Sequence, residues 1–183
     1  MSHYFLGIEI PDDLKNFYND WQQELKPIFP YKSWTDARDL HITLSFLGEV
    51  HRDHLEKLVK QLEILQFSGS FTLSLEGLGT FGKGNRPRVL FVDVRLNEEL
   101  LQLQQQIVKA TETLGFEQEK RAYRPHLTLG KKWGKAFDLP EGKLNEIKLR
   151  YQQINQFEVT AFTLYKIHPG HVPSYEKAAV FPL

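Results

Sequence analysis

The sequence HITL at residues 41–44 returns as HLTL at residues 126–129, so both halves of the chain carry a histidine, a threonine two residues later, and a leucine. Both segments alternate between polar and apolar side chains, which predicts β-strands. Residues two apart on a strand share a face, so each segment presents an imidazole and a hydroxyl about 7 Å apart on one side. Two such strands at matching places predict a fold of two related halves.

The alternation of the first motif continues through Ser45 and Phe46, so it predicts which face of the strand each of these side chains occupies. We expect Ser45 to project with His41 and Thr43 on the polar face. The apolar face of this strand then consists of Ile42, Leu44 and Phe46. If a pseudo-twofold axis relates the halves, the two polar faces meet across a cleft.

The remaining periodicity predicts further strands and helices on either side of the two motifs. In the first half we expect strands at 4–10, 40–47 and 71–75, and helices at 11–25 and 51–65. In the second half we expect strands at 89–94, 126–129, 157–167 and 175–183, and a helix at 97–115. A turn is expected at 79–82. No low-complexity linker separates the halves, so residues 1–183 are expected to form a single α+β domain.

Composition excludes several classes of protein. The 183 residues are 41% hydrophobic and 25% charged, with a formal net charge of zero. The absence of cysteine excludes disulfide scaffolds, thiol nucleophiles, iron–sulfur clusters and cysteine-ligated zinc. No apolar run approaches the length of a membrane span, and the first residues lack the pattern of a signal peptide. We therefore expect a soluble, cytoplasmic protein.

Positive charge is concentrated in two segments that contain no acidic residue, 120–135 and 81–90. Their basic residues are Lys120, Arg121, Arg124, Lys131, Lys132, Lys135, Lys83, Arg86 and Arg88. Both a solvated basic surface and an anion-binding region fit this pattern. Lys83 and Arg88 are candidates for contacts with backbone phosphates.

Two imidazoles and two hydroxyls around one point suit a tetrahedral phosphodiester. A neutral histidine can take a proton from water while a protonated one gives a proton to the departing oxygen. Threonine hydroxyls can donate to the non-bridging oxygens. Arg124, two residues before His126, adds a planar guanidinium that suits phosphate. The predicted site therefore needs no metal or cofactor and consists of His41, His126, Thr43, Thr128 and Arg124.

The sequences LHITLSFLGE at 40–49 and YRPHLTLG at 123–130 resemble the 2H phosphoesterase superfamily, specifically the LigT-like RNA 2′,3′-cyclic phosphodiesterases of the 2′-5′ RNA ligase family. Trp34 and residues 79–82, 87–90 and 181–183 are similar as well. The resemblance covers essentially the whole chain. It implies a bilobal fold, in which two pseudo-symmetric lobes of antiparallel sheet with outer helices surround a central cleft.

The resemblance also implies an activity, the opening of terminal 2′,3′-cyclic phosphates on RNA to 2′-phosphomonoesters, with 2′-5′ linkages formed or cleaved in vitro. It assigns His41 as proton donor and His126 as proton acceptor. It assigns phosphate binding to Thr43 and Thr128, supported by Arg124. The expected partners of this monomer are RNA ends, tRNA fragments among them, or small cyclic nucleotides. The spacing of the residues alone leaves the acid and base roles open.

Other assignments stay open from the sequence. An RNA-binding module that no longer turns over would keep the same cleft. A metal-dependent hydrolase would draw on His51, His54, His168 or His171, although a solvated helix face and a loop explain these histidines as well. Three aromatic residues either stack on a nucleobase or pack in the core: Trp34, Phe81 and Tyr123.

Overall fold

The computed structural model describes residues 2–82, 84–117, 119–134 and 137–183, over which the chain is α+β. Its strands are β1 (Ser2–Glu9), β2 (Tyr31–Trp34), β3 (His41–Val50), β4 (Phe71–Phe81), β5 (Val89–Val94), β6 (His126–Trp133), β7 (Asn155–Val159), β8 (Ala161–Ile167) and β9 (Tyr175–Pro182). Its helices are α1 (Asp12–Leu25), α2 (Arg52–Glu63), α3 (Glu98–Thr113) and α4 (Lys143–Arg150), and a 3₁₀ turn spans Ala37–Asp39.

The strands pair in the order β7-β4-β5-β6-β3-β1-β8-β9, with β2 added to β6, and the pairs are antiparallel. One lobe contains β3, β1, β8 and β9, and the other contains β6, β5, β4, β7 and β2. The two innermost strands, β3 and β6, carry the two motifs and meet at Ile42 and Leu127. The predicted bilobal architecture is confirmed.

The lobes repeat a strand-helix-strand unit, β1-α1-β3 in one and β5-α3-β6 in the other. In each unit the two strands pair antiparallel, and the second carries the motif. The helices cross between lobes, because α1 packs against β6 and α3 packs against β3. Ile42, Leu127 and Leu100 of α3 are fully buried in the shared core. This core holds the two motif strands together from the side opposite the cleft.

The helices begin where the sequence supplies a start signal. Asp12 and Asp13 occupy the first turn of α1, where a carboxylate interacts favourably with the helix dipole. At the start of α3, the Asn97 side chain accepts a hydrogen bond from the Leu100 backbone N–H at 2.9 Å. None of the helices in the described part of the chain has the length and hydropathy of a membrane-spanning segment.

The sheet is strongly curled, and the connection between β7 and β8 shows why. These strands lie toward opposite ends of the strand order, yet only Thr160 separates them in the chain. The Thr160 carbonyl also accepts a hydrogen bond from Leu183 N at 2.9 Å. The prediction of one continuous strand over 157–167 is therefore wrong, because the chain changes partner at Thr160, from β4 to β1 and β9.

Three further differences from the predicted elements concern short or polar segments. The sequence patterns did not predict β2 or α4, which are short and largely polar. The predicted turn at 79–82 is also wrong over most of its length, because β4 extends through Phe81. Position 79 has room only for glycine, because the backbone there packs closely on Phe91: a Cβ would clash with Cε2 of that ring.

Candidate active site

The four motif residues lie around the seam between the lobes. With Ile42 opposite Leu127 in an antiparallel pair, His41 faces Thr128 across the seam and Thr43 faces His126. All four side chains are half-buried. The positive charge that His126 can carry disfavours protonation of His41, so the two imidazoles share one electrostatic environment. The structure brings the predicted histidines and threonines together.

His41 is held in one orientation by backbone and aromatic contacts. Its Nδ1 lies 2.6 Å from the carbonyl oxygen of Asp39, which can only accept, so Nδ1 carries the proton of the neutral ring. Its Nε2 lies 3.1 Å from Oγ1 of Thr43. The Phe5 ring lies 4.5 Å from the imidazole and the Tyr175 ring lies 5.2 Å from it. Nε2 is therefore the nitrogen available for proton transfer.

His126 is held in the same way by the other lobe. Its Nδ1 lies 2.8 Å from the carbonyl oxygen of Arg124, again the residue two positions earlier. Phe81 and Phe91 contact the ring at centroid distances of 4.9 and 5.2 Å. The matched contacts give both histidines the same neutral tautomer, with Nε2 free of a proton.

Burial lowers the pKa of both histidines, but by different amounts. Loss of hydration lowers the pKa of His41 to about 4, and the charges of His126 and Lys131 act in the same direction. Loss of hydration also lowers the pKa of His126, where the charge of Asp93 opposes the shift. Without a bound anion, His126 is thus the easier of the two to protonate.

A carboxylate lies opposite each histidine on the neighbouring strand. Glu9 of β1 pairs with His41, and Asp93 of β5 pairs with His126. Glu9 is engaged by Lys15 at 2.7 Å and by a second lysine, Lys177. Asp93 is more exposed and lies 3.5 Å from a guanidinium nitrogen of Arg124. Each carboxylate is therefore engaged by a cation, and the negative charge of Asp93 still favours protonation of His126.

An extra residue interrupts the ladder of β3 just after the motif. Thr43 pairs with Gly7, and Ser45 pairs with the adjacent Leu6, so Leu44 has no partner in the register. This β-bulge reverses the alternation of faces beyond Leu44. Side chains after it therefore point the opposite way from the simple period of two.

The bulge overturns the predicted faces of two residues. Ser45 is buried against the core, only 7% exposed, and does not project with His41 and Thr43. Phe46 is 58% exposed and pairs with Phe5, whose ring contacts His41. Phe46 therefore lies on the cleft face beyond Thr43, not on the apolar face.

The second motif strand has a bulge at the equivalent place. Thr128 pairs with Phe91, and Gly130 pairs with the adjacent Leu90, so one extra residue enters β6. Lys131 consequently returns to the face of Thr128. Its charge also acts on His41 across the seam. Lys131 is a cleft cation that the sequence showed only as a member of a basic run.

Arg124 lies beside His126, as predicted. Its guanidinium carbon is 4.9 Å from the centroid of Phe81 and 5.2 Å from that of Phe91, so the fork rests on the aromatic wall of the site. Pro125 precedes β6 rather than interrupting it, since the strand begins at His126. The geometry leaves Arg124 56% exposed and able to meet an anion in the cleft.

Two of the other basic residues in the segments 81–90 and 120–135 are paired with acidic side chains. Arg121 pairs with Glu119 at 2.9 Å, and Arg86 pairs with Asp138, so acids outside the two basic segments neutralise them. Lys83 and Lys135 lie outside the described residues. The charge of Arg124 acts on His126 and that of Lys131 acts on His41, so these two cations contribute positive charge at the seam.

The three aromatic candidates divide between the two alternatives. Phe81 is part of the wall beside His126. Tyr123 is structural, because its hydroxyl donates to the Thr43 carbonyl at 3.0 Å and its pKa is raised by burial. Trp34 packs on Tyr31 at 5.6 Å, with part of its surface open. The structure adds Phe46 to the aromatic residues that could stack on a nucleobase.

Three of the other histidines contact residues outside the two motifs. His54 contacts Phe116 on the helical side, with ring centroids 6.3 Å apart. His168 lies 2.5 Å from a carboxylate oxygen of Glu176, with His171 in the same turn. Within the described ranges, no group of three or more histidine and acidic side chains is arranged to hold a metal ion.

Comparison with known proteins gives relatives over the full chain. An RNA 2′,3′-cyclic phosphodiesterase of Bacillus subtilis is 32% identical over 183 residues, covering 99% of this chain and 96% of that protein. One of Geobacillus stearothermophilus is 31% identical and covers all of this chain, which spans 57% of that longer protein.

Solved structures share the fold. A crystal structure described as a phosphoesterase superposes with a TM-score of 0.81 at 25% identity, covering 100% of this chain and 98% of that one. Escherichia coli LigT in complex with 3′-AMP gives a TM-score of 0.80 at 24% identity, with the same coverage. Residues 10–171 match the model of the 2′-5′ RNA ligase superfamily. The chain therefore belongs to the 2′-5′ RNA ligase superfamily.

Proposed function

We propose that this protein is an RNA 2′,3′-cyclic phosphodiesterase that opens terminal cyclic phosphates to 2′-phosphomonoesters without a metal ion. One observation carries this proposal: two imidazoles on adjacent strands are each held at Nδ1 by a backbone carbonyl. Each ring thereby keeps Nε2 for proton transfer. The names of the relatives, which match the chain over its full length, support the same activity.

The reaction requires one proton to be removed and another to be supplied. One imidazole takes a proton from water as the water oxygen bonds to phosphorus, and the P–O3′ bond breaks. The other imidazolium gives its proton to O3′, so the product is a 2′-phosphomonoester with a free 3′-hydroxyl. The two Nε2 atoms lie on opposite strands of the seam, which fits an in-line displacement.

Threonine, arginine and lysine supply the stabilisation of charge. The Thr43 hydroxyl donates to the unprotonated Nε2 of His41 in the free protein, and redirection of this hydroxyl to a non-bridging oxygen frees Nε2. Thr128 occupies the equivalent place across the seam. Arg124 precedes the second motif and Lys131 follows it, with the charge of Arg124 acting on His126 and that of Lys131 on His41, so we propose that a cation approaches the phosphate from each end of this motif.

The bound phosphate also changes the protonation of His41. In the free protein the pKa of His41 is about 4, so this ring is neutral at pH 7. A phosphate anion between the motifs favours the imidazolium and raises that pKa. We propose that His41 becomes the proton donor only with substrate bound, while His126 accepts the proton of water.

The cleft also contains a surface for the nucleoside. Phe46 is an exposed aromatic ring on the face that carries His41 and Thr43. Aromatic stacking is the usual way in which a protein holds an unpaired base. We propose that Phe46 stacks on the terminal base of RNA ends, such as tRNA fragments, or on small cyclic nucleotides, and that the enzyme works as a monomer in the cytoplasm.

The test is hydrolysis of 2′,3′-cyclic nucleotides, and of a short RNA with a cyclic phosphate end, in the presence of EDTA. Wild-type protein should yield the 2′-phosphate, and the His41→Ala/His126→Ala double variant should yield none. His51→Ala, an exposed histidine at the start of α2, is the matched control and should retain activity.

Other outcomes separate the alternatives. Loss of wild-type activity with EDTA would establish a metal-dependent hydrolase. Binding of RNA without product would establish a binding module, and a 3′-phosphate product would reverse the assignment of the leaving oxygen.

A further inference from the structure

A second concavity, here called the side cavity, opens next to His41. Its volume is about 510 Å³, and it lies between α1, residues 33–39 and residues 172–175. The side chains of its wall that matter here are Gln23, Lys26, Trp34, Arg38, Lys131 and Tyr175. Tyr175 also contacts His41, and Lys131 lies on the cleft face of β6. The side cavity therefore shares wall residues with the candidate active site.

The size of the side cavity exceeds what hydrolysis requires. A water molecule occupies about 30 Å³ of liquid, whereas pockets for small organic ligands span about 300–1,000 Å³. In the proposed function the reacting phosphate lies between the motif histidines and threonines at the seam, outside the side cavity. The additional volume suits a group of the size of a nucleotide.

The chemistry of the wall suits ribose, phosphate and base. Lys26 lies at the end of α1 and is exposed, with its Nζ 3.3 Å from the side-chain oxygen of Gln23. Arg38 is 61% exposed, and Trp34 offers the edge of an aromatic ring. Cations, amides and aromatic rings are the groups that contact single-stranded RNA.

The acidic residues of this wall do not cancel its positive charge. The Asp39 carboxylate accepts backbone hydrogen bonds from Ser174 at 2.7 Å and Tyr175 at 3.2 Å. Asp36 binds Arg38 at 2.8 Å. Three cations, Lys26, Arg38 and Lys131, line the cavity against the two carboxylates, so its wall carries a net positive charge.

We propose that the side cavity is a second RNA subsite, which binds a nucleotide next to the one whose cyclic phosphate reacts. This inference rests on the proposed function and deepens it, because it makes the preferred substrate an oligonucleotide rather than a mononucleotide. The nucleotide belongs either to the strand that carries the cyclic end or to a strand that presents a 5′-hydroxyl. Both supply the same ribose-phosphate chemistry.

The test measures binding to three ligands, so it does not depend on turnover. The ligands are a nucleoside 2′-monophosphate, a trinucleotide that ends in a 2′-phosphate, and a trinucleotide with a 5′-hydroxyl and no terminal phosphate. Lys26→Glu is compared with wild type and with Lys57→Glu, an exposed lysine on α2. Kd and its dependence on salt are measured for each, and melting temperature monitors folding.

Lys26→Glu should raise the Kd of a trinucleotide about tenfold and reduce its salt dependence, as expected for loss of a phosphate contact. The Kd of the mononucleotide should change less than twofold, and Lys57→Glu should change neither. The trinucleotide that shows the loss identifies which strand occupies the side cavity. Equal losses for mononucleotide and trinucleotides, or no loss for any, would overturn the subsite. Absence of hydrolysis with these binding differences intact would overturn the proposed function alone.

Discussion

Replacement of Asp93 by asparagine should shift the pH dependence of catalysis toward acid. The active form holds one proton on the histidine pair, so kcat/KM should be maximal between the two pKa values of the free protein. These are about 4 for His41 and, for His126, a value lowered from 6.5. Asp93 carries a negative charge that favours the imidazolium of His126, so its removal lowers the pKa that sets the basic limb.

The expected size of this pKa shift follows from the pairing of β5 with β6. Asp93 and His126 are directly opposite on antiparallel strands, which places their Cβ atoms about 5 Å apart. Because Asp93 is partly exposed, a dielectric constant near that of water applies, and the interaction is about 0.8 kcal/mol. That energy corresponds to about 0.6 pH unit, or a roughly fourfold fall of kcat/KM on the basic limb.

The assay is kcat/KM for a 2′,3′-cyclic nucleotide from pH 4 to 9 at constant ionic strength. Asp53→Asn, an exposed position in the first turn of α2, is the matched control and should leave the profile unchanged. A basic limb that stays in place in Asp93→Asn, or one that lies above pH 7 in wild type, would refute the assignment of that limb to His126.

Four further predictions concern activity and stability. His41→Ala and His126→Ala should each lower kcat about a hundredfold or more, and a near-normal rate in either variant would contradict the two-histidine scheme. Gly79→Ala should lower stability to urea by about 1–3 kcal/mol, because its Cβ would displace the Phe91 ring, and unchanged unfolding would disprove that clash. Phe46→Ala should raise KM for cyclic nucleotides about fivefold at an unchanged melting temperature, whereas Phe46→Tyr should preserve KM. Wild type should lose up to about 3 kcal/mol of stability as pH falls from 6.5 to 4, since unfolding lets His41 take up a proton, and His41→Gln should lose less over the same range.

The motif histidines and threonines were predictable because their placement follows from the period of a strand. His41 and Thr43 lie on the face opposite Ile42, as the alternation requires. The same rule fails at Ser45, because a bulge depends on how the neighbouring strand pairs. No local feature of the sequence marks Leu44 as the extra residue.

Pairing between strands that are distant in the sequence also explains the other differences between the predicted and the observed structure. Alternation in the segment 157–167 runs only from Phe157 to Ala161, where two apolar residues adjoin, and the break at Thr160 reflects the change from one lobe to the other. Lys131 stood among other basic residues in the sequence, and only the bulge of β6 assigns it to the cleft. Asp39 gave no signal at all, although its carbonyl orients His41.

The pairing of β1 with β8 has a consequence for synthesis. The residues that enclose His41 come from both ends of the chain: Phe5 from β1, and Tyr165 and Tyr175 from β8 and β9. A polypeptide leaving the ribosome releases β1 before its partners, and although β1 can pair early with β3, its other edge must wait for β8, more than a hundred residues further along the chain. The His41 side of the cleft is thus completed only after β8 and β9 emerge. We therefore expect the nascent chain to become active only after β8 and β9 have been synthesised and have paired.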